Sequence, residues 1–162
     1  MVESLFPLIQ EHGLWLLFVV LVAGIIGFPI PDEAVLVFAG VLVVKGLMAL
    51  IPTFLVSLAA VWVGSLFNYW IASRLGTLKL MRLAKRWRFP VRRYKRPIRW
   101  LRRYGFWSIP FSYFIPGVRI GISYGAGLLR FPLHSFLVSS ALGAVAWVSL
   151  YVLAGGWAGS YM

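Results

Sequence analysis

The stretch Phe28-Pro29-Ile30-Pro31-Asp32-Glu33 constrains this chain more than any other, because it puts a polar break inside a long apolar run. Leu14 to Gly27 before it and Ala34 to Val44 after it carry no charged residue. Pro29 and Pro31 stop simple helical continuation, since proline lacks an N–H and its ring clashes with the preceding turn. A carboxylate at bilayer depth costs at least about 2–3 kcal/mol and faces a cavity or a partner. A second break, Tyr113-Phe114-Ile115-Pro116-Gly117-Val118-Arg119, lies in the other half and carries the opposite charge. The two tips are expected to face each other near mid-membrane and to form the working site.

The arms around each break are short. Leu14 to Gly27 spans about 21 Å as a helix, against a hydrocarbon core of about 30 Å. Residues 14–45 therefore read as a re-entrant hairpin whose tip must be covered by protein, with one long kinked helix as the alternative. Residues 106–129 repeat the pattern around Pro116. Residues 53–73 and 132–155 are each long enough to cross the membrane, and each is introduced by a proline, Pro52 or Pro132. Residues 1–13, with Glu3, Glu11 and His12, are expected at the interface.

Composition agrees with this reading. The 162 residues are 61% hydrophobic and 12% charged, with a mean hydropathy of +0.87. Soluble domains are nearer a quarter charged, so an all-α integral membrane protein of one domain is expected. The absence of cysteine excludes disulfides and thiolate metal sites, and four acidic residues in all argue against a carboxylate metal centre; no cofactor is expected. Met1-Val2-Glu3 lacks the basic start of a signal peptide, so the first apolar run is expected to stay in the working protein.

The net charge of +12 would suggest nucleic acid in a soluble chain. Thirteen of the sixteen Lys and Arg fall within 74–103, which holds no acidic residue. In a membrane protein such a cluster marks the cytoplasmic side and meets anionic headgroups. No nucleic-acid-binding motif accompanies it. Trp87, Tyr94 and Trp100 alternate with arginine, as expected of an interfacial segment over 74–105, and Pro90 and Pro97 are expected to divide it.

The halves look duplicated. Ile30-Pro31 matches Ile115-Pro116, and Phe54-Leu55-Val56-Ser57 matches Phe136-Leu137-Val138-Ser139, at offsets of 85 and 82 residues. One spanning helix between two hairpins makes the second enter from the opposite side, an inverted repeat of the kind transporters use to hold substrate near the midplane.

At the first tip, Asp32 and Glu33 begin the second arm. A carboxylate there can cap the helix start, and Glu33, one residue deeper, is the better candidate for a buried, proton-exchanging group. At the second tip, Gly117 and Val118 open a helix with Arg119 beside its N–H groups, a combination suited to phosphate; a structural ion pair with Glu33 or Asp32 is the alternative. Ser65, Asn68, Tyr113 and Arg130 are secondary candidates. Ser65 and Asn68 also suit close helix packing, and Arg130 also suits an interfacial anchor. There is no His-Glu-x-x-His, Gly-x-Ser-x-Gly or P-loop, so a transporter is expected rather than an enzyme, with an intramembrane phosphatase as a further alternative.

These motifs together resemble the DedA family, the VTT or SNARE-associated domain group. The resemblance runs over about residues 25 to 155. It rests on Phe28 to Glu33, Gly64 to Gly76 with Tyr69 and Arg74, Phe114 to Arg119, Ala126 to Pro132, Ala141-Leu142-Gly143 and Trp147. It implies opposed re-entrant hairpins and lipid movement between leaflets of a bacterial or archaeal plasma membrane. It also implies undecaprenyl phosphate as substrate, with a phospholipid such as phosphatidylethanolamine as the alternative. A homo-oligomer is compatible with it. Many relatives carry an acid at the position of Ser65 and an arginine at that of Tyr113, so here one acid and one base are replaced together.

Overall fold

Prolines and positive-φ glycines set the ends of the elements, and the apolar runs between them are helical. The computed structural model describes residues 5–28, 30–86 and 92–161. Among these, seven α-helices and one 3-10 turn occur, and no strand: α1 (Leu5–Ile26), α2 (Asp32–Val44), α3 (Leu50–Arg86), α4 (Arg92–Tyr104), the turn Gly105–Trp107, α5 (Ser108–Ser112), α6 (Val118–Leu128) and α7 (Leu133–Ser160). The expected all-α class is found. Leu50–Thr77 of α3 and α7, 28 residues each, are long and apolar enough to cross a membrane. They contain or overlap the spans expected at 53–73 and 132–155.

The element pattern recurs. A helix of 13 residues follows the first break and one of 11 follows the second. Each runs into a turn with a left-handed residue, Gly46 (φ 72°) or Arg130 (φ 49°), and then into a 28-residue apolar helix.

Two expectations are corrected. The first arm is longer than fourteen residues: α1 runs from Leu5, through Gln10, Glu11 and His12. Hydropathy ends the apolar run at Gly13, but no helix breaker stands there, and Pro7 sits in the first turn where proline is tolerated. The basic segment is also not divided at Pro97, which lies inside α4. Its ring is buried against Gly121 of α6, with a would-be Gly121 Cβ 2.6 Å from Pro97 Cγ, and that packing offsets the lost backbone hydrogen bond. Trp87 and Pro90 lie outside the described residues. The chain bends instead at Gly76, where φ 66° and ψ 171° interrupt α3; a residue with a side chain would be strained there.

The chain forms two compact units, residues 1–64 with 145–162 and residues 65–144. In the first, α2 and the end of α7 cross at backbone contact. A side chain at Gly155 would run into the Val37 carbonyl, and one at Gly40 into Val152 and Gly156. Gly155 and Gly159 stand four apart on α7, and Gly159 lies against Val41. In lipid, apolar burial alone does not hold helices together, so small residues that admit close backbone approach carry the association. In the second unit Gly127 of α6 meets the backbone of Tyr69 and Ser73 on α3 in the same way.

Gly155→Leu is expected to cost about 3 kcal/mol of stability in detergent, in the upper range for overpacking. Ala154→Leu, on the exposed neighbouring position, should stay within about 0.5 kcal/mol. Equal thermal shifts for the two variants would contradict the crossing.

Candidate functional site

The second tip is built from the turn that joins α5 to α6. Proline cannot continue α5, and Gly117 takes φ 79°, a left-handed conformation that favours glycine. This turn starts α6 at Val118 and sets Arg119 on its first turn. Arg119 is only 6% exposed, in a chain where the other described basic side chains lie at the surface. Its guanidinium carbon is 5.9 Å from the ring centroid of Tyr113. A cation over an aromatic face gains about 0.5–2 kcal/mol.

Tyr113 ties this tip to the rest of its unit. It is 3% exposed, its hydroxyl shares a 3.0 Å hydrogen bond with Ser65 Oγ of α3, and its ring lies against Gly143 of α7. A Cβ on Gly143 would stand 2.6 Å from the ring. Ser65 and Tyr113, the two positions where the resemblance implies an acid and an arginine in relatives, are therefore hydrogen-bonded to each other. Asn68, one turn along α3 from Ser65, is also buried.

The turn after α6 is held by Tyr69. Its hydroxyl donates to the Phe131 carbonyl at 2.6 Å, and its ring stacks on Phe136 at 4.7 Å between centroids. Arg130 sits in this turn, exposed, eleven residues and about 16 Å of helix from Arg119. It is not part of the same cluster.

In the first unit, Pro31 precedes α2, and Asp32 and Glu33 occupy its first turn. The burial order is the reverse of the expected one. Asp32 is 2% exposed, whereas Glu33 is half-buried. Asp32 packs its carboxylate directly over Gly24 of α1, in space that any side chain at position 24 would take. A one-residue step on a helix turns a side chain by about 100°, so depth in the sequence does not predict depth in the fold. Pro29 lies outside the described residues. Sequence reasoning missed Gly24 and named Gly143 only within a family motif, because a glycine in an apolar run carries no sign of what packs on it. An open, largely apolar groove of about 480 Å³ is lined by Leu14, Trp15, Phe18, Leu55, Val56 and Ala59 and holds no charged side chain.

The model of the VTT domain matches residues 30–156, and the chain belongs to this family of membrane proteins. It is 29% identical to the uncharacterized membrane protein YbfM of Bacillus subtilis, over 94% of each chain. It is 30% identical to undecaprenyl phosphate transporter A of Staphylococcus aureus, over 73% of this chain and 60% of that one. It is also 30% identical to an alkaline phosphatase-like protein of Lactococcus lactis subsp. cremoris, over 74% of this chain and 58% of that one. The chain thus spans nearly all of the first relative and about three-fifths of the other two. No solved structure matches it.

A double-mutant cycle on Ser65→Ala and Tyr113→Phe, read by unfolding in mixed micelles, should return a coupling energy of about 1 kcal/mol, the net worth of one buried hydrogen bond. Additive losses would mean the two hydroxyls do not support each other.

Proposed function

We propose that this protein is a lipid transporter that moves undecaprenyl phosphate, or a closely similar polyprenyl phosphate, between membrane leaflets. The observation that carries this reading is Arg119, a buried arginine on the first turn of a helix that follows a proline–glycine break. Buried ionisable groups in membrane segments commonly mark substrate pathways. The phosphate would take the Arg119 guanidinium as a charge-assisted, two-pronged contact, with the Gly117 and Val118 backbone at the helix start adding to it. The prenyl tail would stay in lipid. The name of the Staphylococcus relative supports the same substrate class.

The acids of the first tip supply proton or charge exchange in this proposal. Its buried member, Asp32, is the better candidate on burial, with Glu33 beside it on the half-buried side. The recurring order of break, short helix and 28-residue helix supports a duplicated architecture. With one spanning helix between the hairpins, we read the duplication as inverted, in the manner of transporters. The basic 74–103 segment is read as cytoplasmic.

A phosphatase is the second reading, favoured by the name of the Lactococcus relative. The buried hydroxyls of Ser112 and Ser123 donate to carbonyls of their own helices, Ile109 and Arg119. Such back-bonded serines satisfy themselves within the helix.

In proteoliposomes, the purified protein should move a polyprenyl phosphate, with phosphatidylethanolamine moved more slowly and no inorganic phosphate released. Arg119→Ala should reduce the rate about 10- to 100-fold, the worth of one hydrogen bond to a charged group. Arg119→Lys should keep part of it, since lysine offers a charge without the planar fork. Failure to move polyprenyl phosphate, with or without a pH gradient, would sink the reading, and phosphate release abolished by Glu33→Gln would replace it with the phosphatase. Under an imposed gradient, Asp32→Asn is expected to abolish the pH dependence that Glu33→Gln only weakens.

A further inference from the structure

We propose that α4 is an anionic-phospholipid-binding element whose occupancy sets the rigidity of α6, the helix that begins at the Arg119 tip. The consequence for transport rests on the reading above; the binding and the coupling do not.

Two independent observations carry this. The first is charge. Lys95, Arg96, Arg99, Arg102 and Arg103 of α4 are all exposed, and no acidic residue lies anywhere in 74–103. At 100° per residue these five fall within one arc of the helix, between about 140° and 260° from Pro97. Trp100 and Tyr104 lie on one side of that arc, at about 300° and 340°. They are exposed, they meet edge to face at 6.2 Å, and Arg103 lies over the Tyr104 ring at 5.5 Å. A cationic face edged by amphipathic aromatics matches the headgroup layer of an anionic leaflet, where each cation near the surface adds roughly a factor of five in affinity. Trp100 and Tyr104 beside the cations suit the boundary between headgroups and acyl chains, where amphipathic aromatics collect.

The second observation is where the other face of α4 goes. Pro97 and Leu101, one turn apart, are buried, and α4 packs along α6 within the same unit. Gly121 and Gly125, one turn apart on α6, accept Pro97 and Ile98. A Cβ at Gly121 would stand 2.6 Å from Pro97 Cγ, and one at Gly125 would stand 3.2 Å from Ile98 Cγ1. A peripheral interfacial helix would touch its neighbour through flexible side-chain ends. Here a proline ring, which has no rotamer freedom to yield, is seated against bare backbone two residues from Arg119. Movement of α4 is therefore passed to α6 without slack. Headgroups that hold α4 at the surface hold α6 with it.

The test uses the full-length protein in nanodiscs of phosphatidylcholine with zero to about 30% phosphatidylglycerol. Lipid retained after release into detergent is read by native mass spectrometry, and amide hydrogen exchange is read over Val118–Leu128. The wild type should retain phosphatidylglycerol over phosphatidylcholine, and α6 exchange should slow severalfold as phosphatidylglycerol is added. Arg99→Gln/Arg102→Gln/Arg103→Gln changes only exposed residues and should fold; it should lose the retention preference at least tenfold and leave α6 exchange independent of lipid. Lys45→Gln, an exposed cation outside α4, should behave as wild type. Gly121→Ala should keep the retention preference and lose the lipid effect on α6, because the added methyl displaces Pro97. Undiminished retention in the triple variant overturns the binding, and lipid-dependent α6 exchange that survives in the triple variant or in Gly121→Ala overturns the coupling. In proteoliposomes of the same lipid compositions, polyprenyl phosphate movement should rise with phosphatidylglycerol in the wild type and stay flat in the triple variant. A wild type that moves no polyprenyl phosphate in any lipid sinks the transport reading alone, and the retention and exchange measurements still decide this one.

Discussion

Close backbone approach at glycine is the constraint on which each unit of this structure depends. In water, the apolar faces of α2 and α7 would be driven together by loss of hydration. Among lipid tails that drive is absent, and contact energy has to come from short distances between many atoms. Gly40 and Gly155 bring α2 and α7 to backbone contact, Gly64 brings α3 against Ile25 of α1, and Gly127 brings α6 against α3. The polar groups follow from this closeness. Asp32 can fold its carboxylate over α1 only because Gly24 leaves the space, and Tyr113 can be buried only because Gly143 leaves room for its ring.

The buried hydroxyls obey the same logic. Thr53, Ser108, Ser112, Ser123, Ser139 and Ser140 each donate to a carbonyl three or four residues back. Such a group is small enough for tight packing and brings its own acceptor, so it can be buried in lipid at little cost. Ser65 differs, because its partner is a tyrosine 48 residues away. That bond spends a polar group on tertiary structure, and it does so beside Arg119.

The two breaks, the two spans and the basic segment were legible in the sequence, because prolines and charges in an apolar background have few places to go. The extent of α1 was not. Glu11 and His12 report a wetter environment, and wet residues form helices as readily as dry ones. Asp32 and Glu33 could not be ranked for burial, since adjacent residues on a helix face different neighbours and the seat at Gly24 lies on another element. Pro97 read as a break because its missing N–H is a local property; the partner that stabilises it, Gly121, is 24 residues away in the sequence. The pairing of Ser65 with Tyr113 left a trace only as two departures from the family pattern, with nothing in the chain to say that they belong together.

The DedA resemblance implies an acid and an arginine at these two positions, and here Ser65 and Tyr113 stand in their place as one hydrogen-bonded pair. An acid at 65 facing a tyrosine, or an arginine at 113 facing a serine, would leave a buried charge without its partner, at about 3–5 kcal/mol. Replacing both members by hydroxyls keeps a hydrogen bond between the same two elements and removes two charges from a low-dielectric setting. The exchange also alters the surroundings of Arg119. A second guanidinium at position 113 would repel it, whereas the Tyr113 ring presents its negative face 5.9 Å away. For the proposed transport, the phosphate would then be held at this tip by one guanidinium and not two. One charge binds more weakly and releases more readily, and a carrier that must give up its lipid on the other leaflet gains from the second property what it loses from the first.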